Sequence, residues 1–300
     1  MSLRAARGQP SWEEDGGDWP NRDASRFVET GALRWHFQRM GRGPALLLVH
    51  GTAAATHSWR ALAPLLAQRF DVLAPDLPGH GFTDPLPSGA LSLPGMARAL
   101  KGLLRQLAFE PVVVVGHSAG AAILARLCID RAIAPRLLIG LNAALLPFEG
   151  MAGQLFPPMA KLLFLNPFAP RLFAWSADSD AVARLLRGTG STIDRRGVEL
   201  YARLMRRYGH VAGALGMMAN WDLDALARDL PRLSAPVMLI AARGDKAVPP
   251  AAAEKACARL PDARVAFLAG VGHLAHEERP GEVADRIFEL TAEIGADAAG

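Results

Sequence analysis

Along most of this chain, short unbroken apolar runs alternate with stretches in which apolar residues return every three or four positions. The runs are Ala45–Val49, Val72–Ala74, Val112–Val115, Leu137–Leu141, Val237–Ala241 and Val265–Leu268, each bounded by Gly, Pro, Asp or His. Strands that are apolar on both faces are what a parallel sheet covered by helices requires. The periodic stretches between them, Trp59–Gln68, Leu93–Leu107, Ala119–Asp130, Ala251–Leu260 and Glu282–Ile294, predict helices. Ahead of the series, Arg26–Thr30 and Leu33–Met40 flank Gly31-Ala32 and predict a hairpin. This alternation predicts an α/β fold with a mostly parallel, doubly wound sheet.

The alternation stops after Asn142. Residues 143–228 hold no strand pattern, only Leu-, Met-, Phe- and Trp-rich helical pieces punctuated by Pro157-Pro158, Pro167 and Pro170. The sheet pattern resumes at Pro236. A helical insertion between two parallel strands sits over their carboxyl edge, where ligands bind. Residues 143–228 are therefore expected to form a helical cap on a core made of 25–142 and 229–300. Residues 1–24 are polar and rich in Gly and Pro, and a loose arm is expected there.

Composition narrows the function. With 300 residues, 51% hydrophobic and 21% charged, the chain can bury a sizeable core and is not of the disordered class. A net charge of +4 is too small and too dispersed for a nucleic-acid partner. Cys128 and Cys257 have no metal-binding spacing, and no metal or cofactor is expected. Met1–Asp23 carries no apolar signal segment, and no apolar run reaches the roughly 18 residues of a membrane span. A soluble, cytoplasmic protein is expected.

The strongest chemical signal is Gly116-His117-Ser118-Ala119-Gly120, which follows one apolar run directly and opens an Ala-rich helix. Small residues there permit the sharp strand-to-helix turn that exposes a serine hydroxyl. A serine needs a base to take its proton and a third group to orient that base. Asp245 follows the run Val237–Ala241 and His273 follows Val265–Leu268, so Ser118, Asp245 and His273 stand in α/β-hydrolase order. Thr52, after the run Ala45–Val49, and Ala119, next to Ser118, are placed to offer backbone N–H groups to an oxyanion. His50 is read as a brace for the oxyanion loop, and His80 and His117 as structural. His276 is read as a surface residue or one just behind the site.

Beyond the order of these residues, whole stretches carry a resemblance. DWPNRDASRFV (Asp18–Val28), HGTAAATHSWR (His50–Arg60), APDLPGHGFT (Ala74–Thr83), VGHSAGAAILARL (Val115–Leu127), GQLFPPMAKLLFLNP (Gly153–Pro167), MMANWDL (Met217–Leu223) and GHLAHEERP (Gly272–Pro280) resemble the α/β-hydrolase-fold magnesium-chelatase accessory proteins of bacteriochlorophyll biosynthesis. The arm and cap segments discriminate, because hydrolases in general vary most there. The resemblance implies an α/β-hydrolase fold with a cap, Ser118, Asp245 and His273 in the triad positions, and a role at the magnesium-insertion stage. Dehalogenase and epoxide-hydrolase relatives carry Asp where this chain has Ser118. Direct chelatase chemistry is disfavoured, since no nucleotide-binding Gly-x-x-x-x-Gly-Lys loop occurs.

Three readings follow. In one, the chain is a serine hydrolase acting on an apolar ester or tetrapyrrole-related acyl group, with Phe148, Phe156, Met159 and Trp221 as pocket candidates. In another it binds a porphyrin or supports the chelatase without catalysis, and the apolar cap rests on a membrane surface or a partner. The third is a carboxylesterase unrelated to pigment. The cap arginines are read either as a solvated face or as partners for ligand carboxylates or anionic lipid. His57 and His210 are read as surface or packing residues, with contact to the metal of a bound metalloporphyrin as the alternative.

Overall fold

The computed structural model describes residues 8–147, 166 and 168–295. Its frame is an eight-stranded sheet of β1 (Ser25–Thr30), β2 (Leu33–Met40), β3 (Ala45–Val49), β4 (Asp71–Pro75), β5 (Val113–His117), β6 (Leu137–Leu141), β7 (Val237–Ala242) and β8 (Ala263–Leu268), in the order β1-β2-β4-β3-β5-β6-β7-β8. The hairpin β1–β2 closes with Thr30 opposite Leu33 and pairs antiparallel to β4. The strands from β4 to β8 are mutually parallel. The order reverses at β3, so β3 and β5 leave a crevice between their carboxyl ends.

Strand alternation divides the core in two. Leu47, Val49 and Val114 face one layer, which includes α3 (Leu93–Gln106), α4 (Ala119–Ile129) and α10 (Pro250–Cys257). Leu46, Leu48, Val113 and Val115 face the other, with α2 (Leu62–Leu66) and α12 (Pro280–Glu293). Each fully buried Leu or Val contributes roughly 1.5–3 kcal/mol of transfer free energy. Ser92 caps α3, accepting from the Gly95 N–H at 3.4 Å.

Two expectations need correction. The periodic stretch Trp59–Gln68 is not one helix but a 3-10 turn, Thr56–Trp59, followed by the short α2. Pro64 has no N–H to donate and must lie in a first turn, which sets the helix start at Leu62. The loose arm does not extend to residues 8–24. Trp19 is 2% exposed and its indole N–H donates to Thr56 Oγ1 at 3.0 Å. Trp12, in α1 (Trp12–Asp15), packs edge-on against Phe27 and Phe82.

Between β6 and β7 the described residues hold helices and no strand: α5 (Ala169–Ser176), α6 (Ser179–Gly188), α7 (Arg195–Met205), α8 (Tyr208–Ala219) and α9 (Asp224–Asp229). Several arginines of this region have partners in the arm. Arg196 and Arg203 pair with Asp18, and Arg207 pairs with Glu14 and Asp15. These three are therefore neither a purely solvated face nor set apart for a ligand.

Candidate active site

β5 ends at His117 and α4 begins at Ala119, so Ser118 forms the whole turn between them at φ 51° and ψ −118°. The turn is tight on every side. A Cβ on Gly120 would stand 2.1 Å from the Val49 carbonyl oxygen, and one on Gly116 would stand 2.5 Å from Ala121. Only glycine lets the helix approach the sheet this closely. Ser118 itself is half-buried, while its neighbours His117 and Ala119 are buried.

Asp245 and His273 meet in the loops that follow β7 and β8. Asp245 Oδ1 accepts from the N–H groups of Ala247 and Val248 at 2.7 and 2.8 Å. This leaves Oδ2 to accept from His273 Nδ1 at 2.7 Å. The proton is thereby assigned to Nδ1, so Nε2 keeps its lone pair as a base needs. The His117 ring lies 4.7 Å from that of His273, and His117 Nε2 donates to the His273 carbonyl oxygen at 2.9 Å. The serine turn and the histidine loop are thus in direct contact through His117. Burial pushes His117 well below the ordinary histidine range, and it stays neutral.

The loop after β3, expected to hold an oxyanion, adjoins the same point. A Cβ on Gly51 would lie 3.1 Å from Ser118 Cβ, so Thr52 follows directly on the serine's contact. Among the described residues, the N–H groups of Thr52 and Ala119 donate to no protein acceptor. His50 does brace this loop: its Nδ1 donates to Gly51 O at 2.7 Å and its Nε2 accepts from the Leu77 N–H at 2.9 Å.

Other groups of this frame have no motif to announce them. Asn142, at φ 46° after β6, donates to Gly272 O and His273 O at 3.2 and 2.7 Å. Its Oδ1 accepts from the Ala242 N–H at 2.7 Å, at the end of the strand that leads to Asp245. His210 of α8 accepts from the Gly81 N–H and donates to Ala53 O, both at 3.1 Å, and so ties the loops after β3 and β4 to α8. Burial lowers its pKa to about 4. Neither His57 nor His210 is at the surface, both being fully buried. His276 is buried too, its ring 4.5 Å from that of His117.

Of the pocket candidates, Phe148, Phe156 and Met159 lie outside the described residues. Trp221 is half-buried and packs on the core layer that also includes Ala119 and Met217. A residue not singled out by pattern, Met217 of α8, does reach the site, with its sulfur 3.7 Å from Thr52 Oγ1. Among the described residues no group of three or more His, Cys, Asp or Glu could hold a metal ion.

A family model described as alpha/beta hydrolase fold matches residues 44–280, which is most of the chain. The chain belongs to the α/β-hydrolase-fold family. Within that family it is 42% identical over 263 residues to the magnesium-chelatase 30 kDa subunit of Rhodobacter capsulatus, covering 87% of this chain and 92% of that one. Solved α/β-hydrolase structures share the fold. The epoxide hydrolase CorEH superposes with a TM-score of 0.78 at 21% identity, covering 90% of this chain and 99% of that one. A thermophilic esterase from Thermogutta terrifontis gives 0.71 at 23%, covering 90% and 98%.

Proposed function

We propose that this chain is a serine hydrolase that serves as an accessory enzyme at the magnesium-insertion stage of bacteriochlorophyll synthesis, cleaving an apolar ester or a tetrapyrrole-related acyl group. The observation that carries the chemistry is the Asp245–His273 pair at 2.7 Å, whose loop His117 joins to the serine turn at φ 51°. The stage rests on the relative named a magnesium-chelatase subunit. In the reaction, Ser118 Oγ attacks the substrate carbonyl while His273 Nε2 takes its proton, and the N–H groups of Thr52 and Ala119 receive the oxyanion. Collapse expels the alcohol, which takes the proton from His273. Water, deprotonated by His273, then attacks the acyl-serine and releases the acid and the free serine.

A second reading, in which the chain holds a porphyrin or supports the chelatase without catalysis, is favoured by the cap surface. Phe168, Leu172, Phe173, Trp175 and Leu185 are the exposed large apolar side chains of the described residues, and all lie on or beside α5 and α6. Such a patch suits a partner or a membrane surface. No helix of the described residues is long and apolar enough to cross a membrane. A pigment-independent carboxylesterase is the third reading.

The test is complementation. A strain of the source organism lacking this gene receives either the wild-type gene or Ser118→Ala, and pigments and accumulated intermediates are separated by chromatography. The proposal expects pigment only with the wild type. Normal pigment with Ser118→Ala supports the non-catalytic reading, and normal pigment in the deletion strain itself supports the unrelated esterase.

A further inference from the structure

The loop that carries His273 is joined to the cap through a buried charge. Glu277, four residues on in α11 (Ala275–Glu278), has a side chain with no exposure. Its Oε2 meets the Arg60 guanidinium, and its Oε1 accepts from the Tyr201 hydroxyl of α7 at 2.8 Å. Arg60 also reaches Asp194, the N-cap of α7, at 3.1 Å. Three further bonds tie the cap residues before α7 to both catalytic loops. Ser191 Oγ accepts from the Leu274 N–H at 2.8 Å, Glu278 Oε2 from the Thr192 N–H at 3.2 Å, and Thr189 O from the Lys246 N–H at 3.0 Å. Gly190 lies so close to Gly272 that a Cβ on the latter would stand 2.2 Å from it.

A buried ion pair is a weak source of stability, because desolvation offsets most of its attraction. An apolar contact of the same size would seat the cap at least as well. What the carboxylate adds is direction: two donors, one from the core and one from the cap, fix where α11 starts and so where His273 stands. We propose that Tyr201 is a positioning residue of the catalytic base, holding the His273 loop against cap helix α7 through Glu277, so that the base is aligned with Ser118 only while the cap is seated. The inference rests on the serine-hydrolase reading above.

Glu277 also gives the arrangement a signature. Burial raises its pKa to about 7, against the opposing pull of Arg60 and Tyr201. The charged and titratable groups facing it are Arg60 and Asp194, with Tyr201 from the cap; His276 and His273 share its loop, and His57 packs 4.4 Å from the Tyr201 ring. Of these, the buried His57 and His276 are held neutral, His276 down to about 3.

The test follows the rate at which a fluorophosphonate probe labels Ser118 in the full-length protein from about pH 5 to about pH 9, alongside hydrolysis of p-nitrophenyl butyrate. Tyr201→Phe removes one hydroxyl and little volume. Labelling and kcat are expected to fall about ten-fold, with KM within about two-fold and the melting temperature lower by several degrees, well short of unfolding at the assay temperature. Glu277→Gln keeps the shape and removes the charge, and is expected to change the wild-type profile near pH 7. Wild-type rates in Tyr201→Phe, with wild-type labelling intact, overturn the positioning role and leave the hydrolase reading standing. If Tyr201→Phe does not fold, an unchanged pH profile in Glu277→Gln overturns it instead. A folded wild-type protein that takes no label at Ser118 overturns the hydrolase reading itself.

Discussion

Ser118 is held at a positive φ that costs a residue with a side chain about 1–3 kcal/mol. Ser118→Gly is expected to raise stability by about 1 kcal/mol over Ser118→Ala, since glycine alone is free of the strain. Thermal melts of the two variants check this, and equal melting temperatures contradict it. Asn142→Ala removes two donated bonds and one accepted bond between the ends of β6, β7 and the His273 loop. A loss of about 1–3 kcal/mol and a fall in ester turnover of about ten-fold or more are expected, read by denaturant titration and by kcat. Ser118, Asp245 and His273 are legible in the sequence because each follows an apolar run and sits beside a glycine or small residue. Asn142, Tyr201 and Glu277 are not, because their partners are 76 to 217 residues away and a lone polar residue announces no distant partner.

At the scale of elements, the apolar runs locate every parallel strand, and the differences lie at the ends. β5 runs on through Gly116 and His117 because they pair with Gly140 and Leu141. That the described residues between β6 and β7 hold no strand is legible for the same reason that the sheet is. The arm is not, since its Gly- and Pro-rich polarity hides Trp12 and Trp19, whose burial depends on Phe82 and Leu204 far along the chain. Trp19→Ala is expected to cost about 3–5 kcal/mol, as a buried tryptophan in a core would. A chemical-denaturation midpoint close to the wild type's would show instead that the arm is held by its ion pairs to Arg196, Arg203 and Arg207.

For the whole molecule, all eight histidines are buried. Burial lowers the pKa of His50, His57, His80, His117, His210 and His276 below the ordinary value of 6.5. Each is neutral when folded and takes up a proton once unfolded below about pH 6.5. Their contribution to stability is therefore complete above that pH and is lost as pH falls, continuing to about 4 for His210 and about 3 for His276. Glu277 works the other way over about pH 4.5 to 7, because its folded pKa is raised, but it is one group against six. The melting temperature is expected to hold level above about pH 7 and to fall steeply towards pH 5. A level profile across that range would mean that the buried histidines are already protonated or reached by water.

The central claim is that Ser118, His273 and Asp245 form a working nucleophile, and active-site labelling tests it most directly. The purified protein is treated with a fluorophosphonate probe, digested, and the modified peptide mapped by mass spectrometry, beside Ser118→Ala and His273→Ala. The account predicts an adduct on Ser118 in the wild type, none in Ser118→Ala, and slowing of at least about a thousand-fold in His273→Ala. A folded wild-type protein with Ser118 unmodified, or labelled as fast without His273 as with it, would contradict the account.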